Sequence, residues 1–132
     1  MTKSKTLEKP FISAILVTRN EGAYIEKALL SYLNQDYPTS RYEILIVDGE
    51  STDDTVQRAK DVIEKIKIEG REVPECTFIN NPQKILAAGW NIGIKASKGE
   101  YVVRIDAHGE AALDFISNSV ETMLKVDAVC VG

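Results

Sequence analysis

The chain has 132 residues, 44% hydrophobic and 27% charged, enough for one globular domain with a real core and too few for a second full domain. Its formal net charge is −4, with lysines and arginines set singly among acids, which argues against a surface that tracks polymeric nucleic acid. The longest apolar runs fall far short of the roughly 20 residues that span a bilayer, so no membrane segment is expected in this chain. Residues 1–10, polar and lysine-rich at the start, read as a flexible lead-in, and 11–132 as the domain. Cys76 and Cys130 each lie inside an apolar run and read as small buried thiols rather than a disulfide, a usage that fits the cytoplasm.

Phe11 to Thr18 is a nearly unbroken apolar, β-branched run closed by Arg19-Asn20-Glu21-Gly22, the pattern of a strand buried on both faces. From Glu21 to Gln35 the apolar residues Ile25, Ala28, Leu29, Tyr32 and Leu33 recur at helical spacing. Glu43 to Asp48 repeats the buried-strand pattern, and Ser51 with Asp54 three residues on predicts a cap for a helix striped by Val56, Ala59, Val62, Ile63 and Ile66. Cys76 to Ile79 reads as a shorter strand. A helix is expected from Lys84 to Ser97 with Ile85, Ala88, Gly89, Ile92 and Ala96 on its inner side, closed by Lys98-Gly99. Tyr101 to Ile105 follows as a strand and Leu113 to Lys125 as a helix with Phe115, Ile116, Val120, Met123 and Leu124 inward. Ala128 to Val131 reads as a last strand.

Strands alternating with helices predict an α/β domain, a mostly parallel sheet with helices on both faces. Ligands of such sheets bind beyond the carboxyl ends of the strands. Three polar clusters fall there: Thr18 to Glu21, Asp48 to Ser51, and Asp106 to His108. Two-residue alternation puts Arg104, Asp106 and His108 on one side if the chain stays extended, so that Asp106 and His108 can share a metal. A carboxylate suits Mg2+ or Mn2+, and the added imidazole tilts the choice toward Mn2+. Asp48 reads either as a turn acid beside a helix cap or as an acceptor for the imide N–H of a uracil ring. Asn20 reads partly as an N-cap, and Trp90 either covers a pocket edge or packs under a loop. Dinucleotide, P-loop, nucleophile-elbow and paired-cysteine motifs are absent from the sequence.

Four ordered blocks carry a resemblance that extends these readings. They are Ile12 to Glu21, Ile46 to Thr55, Trp90-Asn91-Ile92-Gly93-Ile94 with Ala96 to Tyr101, and Arg104-Ile105-Asp106-Ala107-His108. From about residue 11 to 108 the chain resembles the family 2 inverting glycosyltransferases of the GT-A, Rossmann-like fold. The Asp-Ala-His ending is similar to the subgroup of succinoglycan-biosynthesis glucosyltransferases of the ExoA type. The resemblance implies a nucleotide-diphospho-sugar donor, UDP-linked, and a glycan or lipid-linked acceptor in polysaccharide biosynthesis. It implies that Thr18, Asn20 and Glu21 border the donor, that Asp48 contacts the base, and that Asp106 lies at the ribose and metal-bound diphosphate. His108 stands where the family's Asp-x-Asp motif has its second acid, and Trp90-Asn91 stands where many members carry Arg-Asn, leaving Lys84 or Arg104 as substitutes for the missing arginine. The family's catalytic base lies well downstream, so the resemblance also implies that the chain is a truncated, donor-binding part of its parent. A nucleotidyltransferase, or a non-catalytic domain that retains the fold, are the alternatives.

Overall fold

The computed structural model describes residues 9–126, 130 and 131. Its strands are β1 (Ile12–Thr18), β2 (Tyr42–Asp48), β3 (Glu75–Asn80), β4 (Tyr101–Ile105) and β5 (Cys130–Val131), joined by helices α1 (Ile25–Leu33), α2 (Thr55–Ile68), α3 (Leu86–Ala96) and α4 (Phe115–Val126). The strands form one parallel sheet in the order β3-β2-β1-β4-β5. From β1 the chain winds outward to β3 and then crosses back to β4, so strand order reverses between β1 and β4. That reversal is where open α/β sheets form a ligand crevice.

The apolar runs of β1 and β2 are buried because helices cover both faces. On one face Ile12, Ala14, Leu16, Ile44, Ile46, Val103 and Ile105 pack with residues of α1, α2 and α4. On the other, Ile15, Leu45 and Val47 pack with Trp90 and Ile92 of α3. Right-handed crossovers account for α1 and α2 on one side for the outward path and α3 on the other for the return, whereas α4 lies with α1 and α2 although β5 continues in the direction of β4.

Several elements depart from their expected form. Helix α1 begins at Ile25 rather than Glu21, because Glu21 and Gly22 donate their N–H groups to Thr55 Oγ1 (2.8 Å) and Asp53 Oδ2 (3.1 Å) and their segment forms a turn. Ser51 does not cap α2. Asp53 takes the N–H and hydroxyl of Thr55 there, and Ser51 turns to Asp48 instead. The inner face of α3 is Gly89 and Gly93, whereas Ile85 and Ala96 are exposed. Leu124 of α4 is exposed too, while Ile116, Val120 and Met123 are buried as expected. The last strand is Cys130–Val131, and Ala128 lies outside the described residues. Of the lead-in, only Lys9 and Pro10 are described, and their carbonyls accept from Arg41 Nε and the Tyr37 hydroxyl. Cys76 is a free, partly buried thiol whose pKa burial pushes up to about 12, which favours the protonated form at neutral pH.

Candidate functional site

Thr18 and Asp48 are register partners at the carboxyl ends of β1 and β2. Both are buried, and Thr18 Oγ1 has no hydrogen-bond partner among the described residues. Asp48 Oδ2 accepts from the Ser51 N–H (2.8 Å) and Oδ1 from the Ser51 hydroxyl (2.6 Å), so the turn-acid reading describes its local bonding. The same Ser51 Oγ accepts the N–H of Asn20 (2.8 Å). Asn20 Oδ1 in turn accepts from the Thr52 and Asp53 N–H groups (2.8 and 3.3 Å). Asn20 therefore clamps the loop after β1 to the loop after β2, its side-chain oxygen already engaged. Asn20, Glu50 and Lys84 are the non-glycine residues with left-handed backbones among the described residues, and all three lie at this edge of the sheet. Each costs about 1–3 kcal/mol, a cost tolerated where the surroundings hold a loop for function.

At the end of β4 the strand stops at Ile105, and Asp106 Oδ1 folds back to accept the His108 N–H (3.0 Å). The expected extension through His108 is therefore broken. Arg104 and Asp106 line one cleft, while the His108 ring swings across the edge toward the loop after β1. Its Nε2 lies 3.1 Å from Glu21 Oε1 and its Nδ1 3.8 Å from Asp106 Oδ1. The Tyr24 ring stands against the imidazole, with centroids 5.0 Å apart. Ala107 between them is buried and anchors the bend.

The segment that carries these residues hangs on α1. The Asp106 N–H donates to the Tyr32 hydroxyl (3.1 Å), and the Ala111 N–H donates to Ser31 Oγ (2.8 Å). Just past α1, Gln35 donates to the Ala112 carbonyl and accepts from the Ile116 N–H, both at 2.8 Å. Sequence reasoning placed Tyr32 only in a core stripe and passed over Ser31, Gln35 and Tyr24. These contacts join positions about 80 residues apart, which no local pattern reveals.

A cleft of about 370 Å³ opens beside Asp106, lined by Val17, Leu86, Trp90, Arg104 and Ile105 as well. Its volume lies in the range of small-molecule sites. Trp90 thus borders a pocket, and the Arg104 guanidinium lies over its ring, 5.3 Å from the centroid.

For a divalent cation the donor chemistry fits. Asp106 offers a largely exposed carboxylate and His108 an exposed imidazole. Among the described residues no group of three or more His, Cys, Asp or Glu side chains is placed to hold a metal. Two protein ligands, with the rest from phosphate and water, is a common arrangement for Mg2+-type cations in phosphate sites.

A family model described as glycosyl transferase family 2 matches residues 13–132. The chain belongs to glycosyl transferase family 2. Its sheet and helices form the GT-A, Rossmann-like fold of that family's solved structures. Among curated proteins the chain is 39% identical over 116 residues to the dolichyl N-acetyl-alpha-D-glucosaminyl phosphate 3-beta-D-2,3-diacetamido-2,3-dideoxy-beta-D-glucuronosyltransferase of Methanococcus voltae, covering 88% of this chain and 35% of that one. It is 32% identical to the succinoglycan biosynthesis protein ExoA of Rhizobium meliloti, covering 83% and 31%. A mannosyltransferase from Pyrobaculum calidifontis, solved with GDP-Man and Mn2+, superposes with a TM-score of 0.78 at 28% identity, covering 88% of this chain and 33% of that one. The chain thus spans about a third of the length of these family 2 proteins. No helix among the described residues is long and apolar enough to cross a membrane.

Proposed function

We propose that this chain forms the donor-binding part of an inverting glycosyltransferase that takes a UDP-linked sugar and passes it to a glycan or lipid-linked acceptor in polysaccharide synthesis. The observation that carries this reading is the placement of Thr18, Asp48 and Asp106 along one carboxyl edge, at the strand-order reversal of a family 2 domain. Each oxygen of Asp48 already accepts from Ser51, and the carboxylate keeps capacity for a further donor. Uracil offers one imide N–H, whereas guanine presents two donors side by side, so uracil suits this partly occupied acceptor. Thr18 and Glu21 border the nucleoside. Asp106 faces the ribose and diphosphate, beside a cleft that receives the sugar.

Mn2+ or Mg2+ bound at Asp106 and His108 would supply Lewis-acid neutralisation of the charge that builds on the departing diphosphate. The acceptor hydroxyl attacks the anomeric carbon in line with that leaving group, its proton taken by a carboxylate of the parent protein in a portion this chain does not span.

Titration calorimetry of the folded chain with UDP and GDP in the presence of Mn2+ tests the reading. UDP is expected to bind, and Asp48→Asn to weaken it about 10-fold while sparing CDP, because the amide can donate to the ring nitrogen of cytosine. A folded sample that binds neither nucleotide sinks the proposal, and a GDP preference reassigns the base.

Glu21 has a second task in this reading. With Nε2 of His108 against Glu21 and Nδ1 toward Asp106, the carboxylate holds the ring proton away from the side that faces Asp106. Ligating histidines are commonly oriented in this way, and loss of the partner costs about 10–100-fold in metal affinity. Glu21→Gln is therefore expected to weaken Mn2+ binding, read by the electron paramagnetic resonance signal of free Mn2+, by about 10-fold. Unchanged Mn2+ affinity would return Glu21 to the nucleoside alone.

A further inference from the structure

We infer that Arg104, held on the indole of Trp90, is the cationic contact for an anionic group of the donor, an inference that rests on the nucleotide-sugar reading above. Strand alternation sets Arg104 and Asp106 two residues apart on one face, and both line the same cleft. Asp106 marks the side where the diphosphate lies in that reading, so a group bound beside it carries negative charge past the ribose. Arginine is the side chain suited to that charge. Its five N–H donors form a planar fork that meets phosphate or carboxylate oxygens two at a time.

The contact with the indole matters as much as the charge. A guanidinium drawn to a ring by its charge keeps N–H groups free to meet an anion. The attraction biases a long and otherwise mobile side chain toward one pose. Trp90 is a firm platform, because it packs against the Ile15, Leu45 and Val47 cluster. Among the described residues no carboxylate pairs with Arg104, whereas Arg58, Arg71, Lys84 and Lys98 all have acidic partners. Of the other cations at this edge, Lys84 lies 3.8 Å from Glu50 and Arg19 donates its Nε to the Gly49 carbonyl (2.8 Å), and neither lines the cleft.

The anion has two possible sources with one chemistry, the diphosphate or a carboxylate on the transferred sugar. Calorimetry with uridine, UDP, UDP-glucose and UDP-glucuronate in the presence of Mn2+ separates them. If the diphosphate is the ligand, Arg104→Ala weakens UDP about 10-fold and leaves uridine unchanged. If the sugar carboxylate is the ligand, UDP is unchanged and UDP-glucuronate loses about 10-fold relative to UDP-glucose. Arg104→Lys keeps the charge without the fork and is expected to fall between wild type and Arg104→Ala, and Trp90→Leu to weaken the same ligand as Arg104→Ala. Wild-type affinities for all four ligands in a folded Arg104→Ala sample overturn the inference while the nucleotide reading stands. Absence of binding by the wild-type chain removes both.

Discussion

Replacing Asp106 with alanine is expected to lower Mn2+-supported UDP affinity about 100-fold, or ~2.8 kcal/mol, with little change in melting temperature. The two halves of that expectation have separate physical grounds. For stability, the Asp106 side chain is 72% exposed and its recorded hydrogen bond is to the His108 N–H at the surface. The tie to α1 runs through the Asp106 backbone N–H, which alanine keeps. For binding, Asp106 is the sole acid lining the cleft among the described residues, so its removal takes away both the carboxylate and the turn that aims His108. Calorimetry with and without Mn2+, beside a thermal melt, reads both. Asp106→Asn sharpens the comparison, since it preserves an acceptor for His108 and removes the charge. Wild-type UDP affinity in Asp106→Ala would remove Asp106 from the donor site.

Gly93→Val is expected to destabilise the fold by about 1–3 kcal/mol and to weaken donor binding with it. A Cβ at residue 93 would stand 2.6 Å from Cγ2 and 3.1 Å from Cδ1 of Ile15, which is fully buried on the central strand. Valine adds two further methyl groups to that collision. A nonglycine residue gains up to about 1 kcal/mol of helix propensity over glycine, too little to offset overpacking against a side chain with no free space. Relief comes from moving α3 off the sheet, and Leu86 and Trp90 travel with it, deforming the cleft. Each kcal/mol appears as roughly 3–6 °C in the melt of a chain this size. An unchanged melting temperature would show that α3 does not depend on glycine for its approach.

The sheet was legible because β1 and β2 are continuous apolar runs, and burial on both faces requires nothing else of a strand. The placement of the polar clusters followed, since polar residues at the carboxyl ends of such runs lie at the sheet's carboxyl edge. Helix α3 was misread for an equally physical reason. Gly89 and Ile92 do face inward as expected, but the buried Gly93 packs by having no side chain, so a hydrophobic pattern passes over it and adds the exposed Ile85 and Ala96. Ser51 looked like a cap because its spacing to Asp54 matched one, and its local sequence does not show that its hydroxyl donates to Asp48 while accepting the N–H of Asn20. His108 was aimed by alternation, which holds only as far as the strand continues, and the Asp106 turn ends it one residue past Ile105. Asp48 shows the limit from the other side: its turn bonding is readable from Ser51, while its base contact rests on family likeness and awaits titration.

The anchors between α1 and the segment holding Asp106 and His108 are contributed by a phenol, a hydroxyl, an amide and backbone groups. None of them is a charge pair, so dissolved ions have little to screen there. Raising the ionic strength should leave this scaffold in place while it weakens attraction between a charged ligand and the side chains around it. The salt dependence of donor binding then becomes a measure of how much of the affinity is electrostatic, uncontaminated by loosening of the frame.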